Sequence, residues 1–348
     1  MRRWTGSPGT CAARPASPPM PALDVAGEFE TIGRLLAPLA HPEWGRGLVD
    51  DVAVLPARPG YDLVLTKDAI VEGVHFLPTD PLDTVARKLL RVNLSDLASK
   101  GAEPFGYLLA CGWSERCGWP ERTSFVDGLR ADQKTYGVWL LGGDTVVTPG
   151  PANFSLTALG WTPRGRTVSR AGARPGDLVF VTGAIGDGWL GLQALQGKLS
   201  LAPERLGALA DHYRTPAPPV AFAPVIRDLA TASLDVSDGL IADLGHLAAA
   251  SDVGVEVDLE LTPLSAAGSA WFEGRVDPQA ALEQLVTGGD DYEIVFTVAA
   301  RDEAAIRREA ERRHVRLTRI GRVVAGSGVT ARFGGEPVSF ARTGFTHG

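Results

Sequence analysis

Residues 62–100 read DLVLTKDAIVEGVHFLPTDPLDTVARKLLRVNLSDLASK, and this stretch sets the fold class. Its first part, DLVLT at 62–66, has the length and the Val/Leu content of a strand. Its last part, 82–100, is lined with Val and Leu and closed by Gly101, which predicts a helix. The same alternation continues outward. Upstream, GEFETIGRLLAPLA (27–40) spaces Phe29, Ile32, Leu35, Leu36 and Leu39 as an amphipathic helix does, and VAVL (52–55) is expected as a strand. Downstream, strands are expected at 105–113, 138–141 and 153–161, with a helix over 121–136. A second set follows: strands at LVFVT (178–182), ASLDV (232–236), GVEVDL (254–259), YEIVF (292–296) and LTRIGRVV (317–324). Helices are expected at 187–196, at LIADLGHLAAAS (240–251) and over 301–313. Both halves therefore read as α/β to α+β.

The stretch 162–177, TPRGRTVSRAGARPGD, is rich in Gly, Pro and Arg and marks the expected boundary between domains at 23–161 and 162–348. Residues 1–22 carry five prolines and no acid, which reads as a disordered tail, with Met20 as an alternative start. The 348 residues are 45% hydrophobic and 22% charged, enough for a sizeable core. The net charge of −7 argues against a general nucleic-acid binder. Three cysteines with no CxxC pair exclude a disulfide framework or zinc ribbon and fit a reducing cytoplasm. No apolar run approaches the ~18 residues that span a bilayer. The chain lacks GxxxxGK[ST], a strand-linked GxGxxG and HExxH, so P-loop, dinucleotide and zinc-hydrolase readings fail.

Aspartate at the ends of apolar segments is the chemical signal. Asp51 precedes VAVL, Asp68 follows LVLT, and Asp96 sits in the Val/Leu-lined helix. Asp144 follows VWLLGG, Asp235 and Asp238 flank Val236, and Asp290 precedes YEIVF. Converging carboxylates repel one another unless a cation lies between them, and hard oxygen ligands suit Mg²⁺. Asp50, Asp177, Asp187 and Asp243 taken singly read as turn or cap residues. From the residues alone, a Mg²⁺-phosphate site and a set of unrelated turns and caps both stay open. His75 alone reads as structural and Arg170 as a solvated linker residue, while Gly142-Gly143-Asp144-Thr145 can offer backbone N–H groups to a phosphate.

The segments GEFETIG, DDVAVL, DAIVEGVHF, RVNLSDLASKGAEP, GGDT, SRAGARPGDLVFVTGAIGD, LDVSDGLIADLGHLA and GGDDYEIVFT, in this order, resemble thiamine-monophosphate kinase from about residue 26 onward. The resemblance implies the two-domain fold shared with aminoimidazole ribonucleotide synthetase, whose N-terminal sheet dimerises into a barrel. It implies ATP-dependent phosphorylation of thiamine monophosphate to thiamine diphosphate, the last step in making that cofactor, by a cytoplasmic homodimer with several Mg²⁺ ions and no nucleic-acid or membrane partner. Carried over by position, Asp51, Thr66, Lys67, Asp68, Asp96, Asp144, Asp235 and Asp238 match metal ligands. Tyr136, Gly143, Asp144, Arg170 and Ser237 match nucleotide contacts. His75, Asp290 and Phe345 match substrate contacts, and Asp51, Asp68, Asp96, Asp144 and Asp235 form the catalytic set.

Three positions depart from the family pattern: Lys67 stands for a threonine, Asp290 for a glutamate, and LVDD for IGDD before Asp51. Alternation along LVLTKD puts Thr66 and Asp68 on one face and Lys67 on the other, so Lys67 is expected to offer only its main-chain carbonyl to a metal. The competing readings are another ATP-using enzyme of the same superfamily and a non-catalytic binder of nucleotide or thiamine phosphate.

Overall fold

The computed structural model describes residues 27–345. The expected tail at 1–22, with Cys11 and Met20, lies outside the described residues. The expected first helix is helical but irregular: α1 (Glu28–Thr31) passes into a π-turn at Ile32–Leu36 and a 3₁₀ turn at Ala37–Leu39. Leu35, Leu36 and Leu39 turn inward, while Phe29 stays exposed.

The first sheet comes from residues 61–163. It holds β1 (Tyr61–Val71), β2 (Glu103–Ser114), β3 (Trp139–Thr148) and β4 (Asn153–Pro163) in the order β1-β4-β2-β3. β4 is antiparallel to both neighbours, and β2 and β3 are parallel. Two long helices, α2 (Leu82–Ser99) and α3 (Trp119–Tyr136), share a core with the inward residues of this sheet, including Tyr107, Trp113 and Phe154. They cross closely at Gly128, where a Cβ would stand 2.1 Å from the Asp83 carbonyl oxygen. The opposite face of the sheet exposes Leu63, Leu65, Leu108 and Val146.

VAVL at 52–55 is not a strand, against expectation, and Val52 and Val54 are exposed. The start of the outer edge of β3 is taken instead by the preceding turn, where Ala40 bridges to Leu140 and the His41 amide donates to the Leu140 carbonyl. The segment joins no strand among the described residues, and its Val54 amide donates instead to the Trp44 carbonyl at 3.0 Å.

The second sheet has seven strands. It adds β5 (Leu178–Thr182), β6 (Ala230–Asp235), β7 (Gly254–Asp258), β8 (Ile294–Val298), β9 (Leu317–Val324), β10 (Gly328–Phe333) and β11 (Glu336–Val338), in the order β11-β10-β7-β9-β5-β8-β6. Central β5 and β8 are buried at every position, as continuous apolar runs require. Around the sheet lie α4 (Asp187–Leu195), α5 (Pro203–Arg214), α6 (Ala223–Leu229), α7 (Leu240–Ser251), α8 (Ala266–Glu273), α9 (Pro278–Val286) and α10 (Glu303–Arg312). α7 spans the residues expected of it and stops where Asp252 takes left-handed geometry. β8 starts later than the expected strand because Tyr292 has φ +53°.

α2 joins the halves. It is buried on every side, polar residues included: Lys88, Arg91, Asn93, Ser95 and Ser99 are all largely hidden. Arg91 grips Asp132 of α3 through two hydrogen bonds of 2.6 and 2.9 Å and donates to the carbonyls of Thr215 and Pro216 beyond α5. Lys100, just past α2, donates to the Ser233 carbonyl in β6 at 2.5 Å.

Candidate active site

The aspartates that the sequence singles out fall into two groups on opposite faces of the first sheet. β1 alternates cleanly, so Thr66 and Asp68 point inward toward α2 and Lys67 points outward. The Lys67 ammonium donates to Ser155 Oγ at 2.6 Å on that outer face, as the alternation requires. Asp96 on α2 accepts the Thr66 hydroxyl at 2.5 Å, and Asn93, one helical turn earlier, accepts the Asp68 amide at 3.1 Å. Asp235 arrives from the other half of the chain at the end of β6 and is buried.

The Asp96 charge acts on both of the other carboxylates. Burial, and then the charge of Asp96, pushes the Asp68 carboxyl up to about 6. Burial and Asp96 likewise hold the Asp235 carboxyl well above its usual range, with a Ser95 hydrogen bond opposing. Lys100 lies close by. Burial brings its ammonium down to about 8, Arg170 adds to that, and Asp235 and Asp96 oppose it. Arg170 itself is exposed and near enough for its charge to act on the Lys100 ammonium. An all-oxygen donor set in which the Asp96 charge disfavours ionisation of Asp68 and Asp235 fits a hard divalent cation.

A cavity of about 390 Å³ opens on this group. Asp68, Asp96, Asp235, Ser237 and Asp238 line it together with His75, Asp290, Tyr292 and Phe345. His75 Nδ1 accepts the Val71 amide at 3.1 Å, and the Phe345 amide donates to the Asp238 carbonyl at 2.8 Å. Phe345, Asp238 and His246 also line an adjoining cavity of about 590 Å³, and polar atoms of Asp238, His246 and the buried Asp243 lie within 4.8 Å of one another. Asp243 keeps the cap role expected of it, since one carboxylate oxygen accepts the amides of Ser237, Asp238 and Gly239. The two aspartates of GGDDYE divide their work. Asp290 faces the cavity, while buried Asp291 accepts the Gly186 and Gly188 amides at the start of α4.

Asp51 and Asp144 are elsewhere. With Gly143 they line a separate cavity of about 400 Å³. Asp144 pairs with Ala110 on the outward row of the sheet, so it does not meet Asp68 and Asp96 within this chain. Gly143 is required there, because a Cβ would lie 1.7 Å from the Leu109 carbonyl oxygen. Tyr136 lines neither cavity. It ends α3, packs on the first core and its ring stands 5.6 Å from the Arg91 guanidinium carbon.

Lys88 and Lys100 belong to the site's surroundings without a sequence motif to point to them. The available signal is a cationic residue in or just after a helix whose every face carries Val or Leu.

The chain matches two family models, AIR synthase related protein, N-terminal domain, over residues 49–162, and AIR synthase related protein, C-terminal domain, over residues 174–334. It is 48% identical over 329 residues to the thiamine-monophosphate kinase of Caulobacter vibrioides, covering 94% of this chain and 93% of the relative. The crystal structure of thiamine-monophosphate kinase from Stenotrophomonas maltophilia K279a superposes with a TM-score of 0.76 at 37% identity, covering 84% of this chain and 91% of that one. The structure of AaThiL complexed with AMPPCP and TMP superposes with a TM-score of 0.72 at 31% identity, covering 92% and 97%. With inward carboxylates contributed by both halves of this fold, and relatives matching almost end to end, the chain belongs to the thiamine-monophosphate kinase family.

Proposed function

We propose that the protein transfers the γ-phosphoryl group of ATP to thiamine monophosphate, giving thiamine diphosphate and ADP. The observation that carries this reading is the meeting of Asp68, Asp96 and Asp235 in one cavity with His75, Asp290 and Phe345. AMPPCP is an ATP analogue, and its presence with TMP in a relative's structure supports the same pair of substrates here.

The residues suit the chemistry. A phosphate oxygen of the acceptor is already ionised at neutral pH, so no catalytic histidine is needed and the task is alignment with charge neutralisation. Asp68, Asp96 and Asp235, with the Thr66 hydroxyl and Asp238, would hold magnesium ions on the inner face. Asp51 and Asp144 would hold magnesium at the second cavity. Bound magnesium supplies positive charge to the phosphate oxygens. Tyr136, Gly143, Asp144, Arg170 and Ser237 are the proposed nucleotide contacts, with Gly143 and Asp144 at the second cavity and Ser237 at the first. His75, Asp290 and Phe345 are the proposed acceptor contacts, the Phe345 ring face suiting the cationic thiazolium.

The reading includes a division into domains at about residue 162, a cytoplasmic site of action where ATP is made, and a homodimer. Support for the dimer is the exposed apolar face of the first sheet at Leu63, Leu65, Leu108 and Val146. Among the described residues no helix is long and apolar enough to cross a membrane. The deciding experiment is incubation with ATP, Mg²⁺ and thiamine monophosphate, followed by chromatography. Thiamine diphosphate and ADP in equal amounts are expected. ATP consumption without thiamine diphosphate, or no turnover, would overturn the reading.

A further inference from the structure

Behind the acceptor end of the cavity lies a buried lysine. Lys88, on α2, is 2% exposed. Its ammonium stands 2.6 Å from Asp290 Oδ2, 3.3 Å from the His75 carbonyl oxygen and 3.8 Å from the centroid of the Tyr213 ring. These partners come from three separate segments: the loop before β8, the turn after β1, and α5. A lysine is almost never hidden this fully unless it is paired.

We propose that Lys88 is a positioning residue for the acceptor, which fixes the Asp290 carboxylate across the junction between the two halves and so sets acceptor affinity. This rests on the reading of thiamine monophosphate as acceptor. Asp290 needs such a support. Its backbone is left-handed at φ +67°, and so are its neighbours Gly289 at +72° and Tyr292 at +53°. Such a run stays in place only when its surroundings hold it. The main chain is held by the Asp290 amide, which donates to the Ser237 carbonyl at 2.8 Å. The side chain is held by Lys88, reaching over from the first half of the chain.

The pairing also decides what Asp290 can offer a ligand. An ionised carboxylate has about four acceptor sites. Lys88 takes one, and Tyr292 makes a further side-chain hydrogen bond to Asp290. Acceptor capacity remains for a ligand N–H, such as the amino group on the pyrimidine ring of thiamine. Because the ammonium neutralises the carboxylate, recognition by Asp290 is directional rather than the pull of a bare charge on a cation. A carboxylate freed from Lys88 would keep its charge and lose its aim.

The test is a double-mutant cycle on Lys88→Met, which keeps the apolar stem, and Asp290→Asn. Each single variant should raise KM for thiamine monophosphate about tenfold or more, with KM for ATP within about twofold and kcat within about threefold. The double variant should be no worse than Asp290→Asn alone, because a residue that acts through another is not additive with it. Lys88→Arg, which keeps the cation, should recover most of the affinity. Calorimetric titration with thiamine monophosphate should follow the same order. Additive losses, or an unchanged KM in Lys88→Met, would overturn the proposal. If the bare carboxylate prevents Lys88→Met from folding, the double variant and Lys88→Arg carry the test, and a double variant that binds distinctly more weakly than Asp290→Asn overturns it. Wild-type protein that fails to phosphorylate thiamine monophosphate would instead sink the proposed function, so the two failures are separable.

Discussion

The Thr66 hydroxyl donates to Asp96 Oδ2 at 2.5 Å and so ties an edge strand to the most buried helix of the protein. Asp68 lies two residues along the same strand face, so this bond fixes the spacing between two carboxylates that repel each other.

Replacing Asp96 by Asn should lower kcat by at least ~100-fold, the scale of losing a principal electrostatic stabiliser. Melting in metal-free buffer should not fall, because the Asp96 charge is what helps drive the Asp68 and Asp235 carboxyls upward. Steady-state turnover and a thermal scan check both halves. Near wild-type turnover would remove Asp96 from the chemistry.

Replacing Lys67 by Thr should change the Mg²⁺ dependence of the rate little. The ammonium is spent on Ser155 Oγ, 2.6 Å away on the face opposite Thr66 and Asp68. Initial rates across a magnesium series test this. A markedly steeper requirement, or weaker ATP binding, would place the ammonium at a phosphate.

Glu293 gives a pH-dependent stability. Burial pushes its carboxyl up to about 7, against a hydrogen bond from Thr182 at 2.5 Å. From about 4.5 to about 7 the folded protein holds this proton more often than the unfolded chain does. Stability from this group is therefore present below about 4.5 and is lost as the pH rises to about 7. Glu293→Gln should gain on the wild type across that window, by a few degrees in melting temperature, with a constant offset above it. A melting difference that stays flat from pH 4.5 to 7 would contradict the assignment.

Leu65→Asp places a charge on the exposed apolar face of the first sheet, where Leu65 is 57% exposed. If that face joins two copies, the substitution should convert a dimer to a monomer in light scattering and leave the monomer folded by circular dichroism. An unchanged mass would exclude this face as the contact.

Most regular elements were legible because their signals are local. α7 and β9 span the residues that their periodicity defines, and Val/Leu runs mark β5 and β8. VAVL misled because a short apolar run becomes a strand only when a neighbour takes its main-chain groups, and the Val54 amide is bonded to the Trp44 carbonyl in the preceding turn. α5, α8 and α9 lie outside the expected elements, although α5 turns Leu209 and Tyr213 inward and α9 turns Leu282, Leu285 and Val286 inward. In the site, the positions of Thr66, Lys67 and Asp68 followed from alternation alone. The separation of Asp144 from Asp68 did not, since it depends on which rows of β2 and β3 stand in register. Lys88 stayed hidden because its meaning depends on Asp290, 202 residues away.

α2 presents Asp96 to the carboxylate group, Lys88 to the acceptor end and Arg91 to the carbonyls beyond α5, while its apolar residues fill the first core. The two halves consequently do not behave as interchangeable modules. A chimaera that takes its first half from one relative and its second from another inherits a helix cut for a different socket. Recombination within this family should therefore succeed when the crossover keeps α2 with the loops at 214–216 and 288–293 that receive it, and fail when it falls at the linker, however well the linker itself is matched.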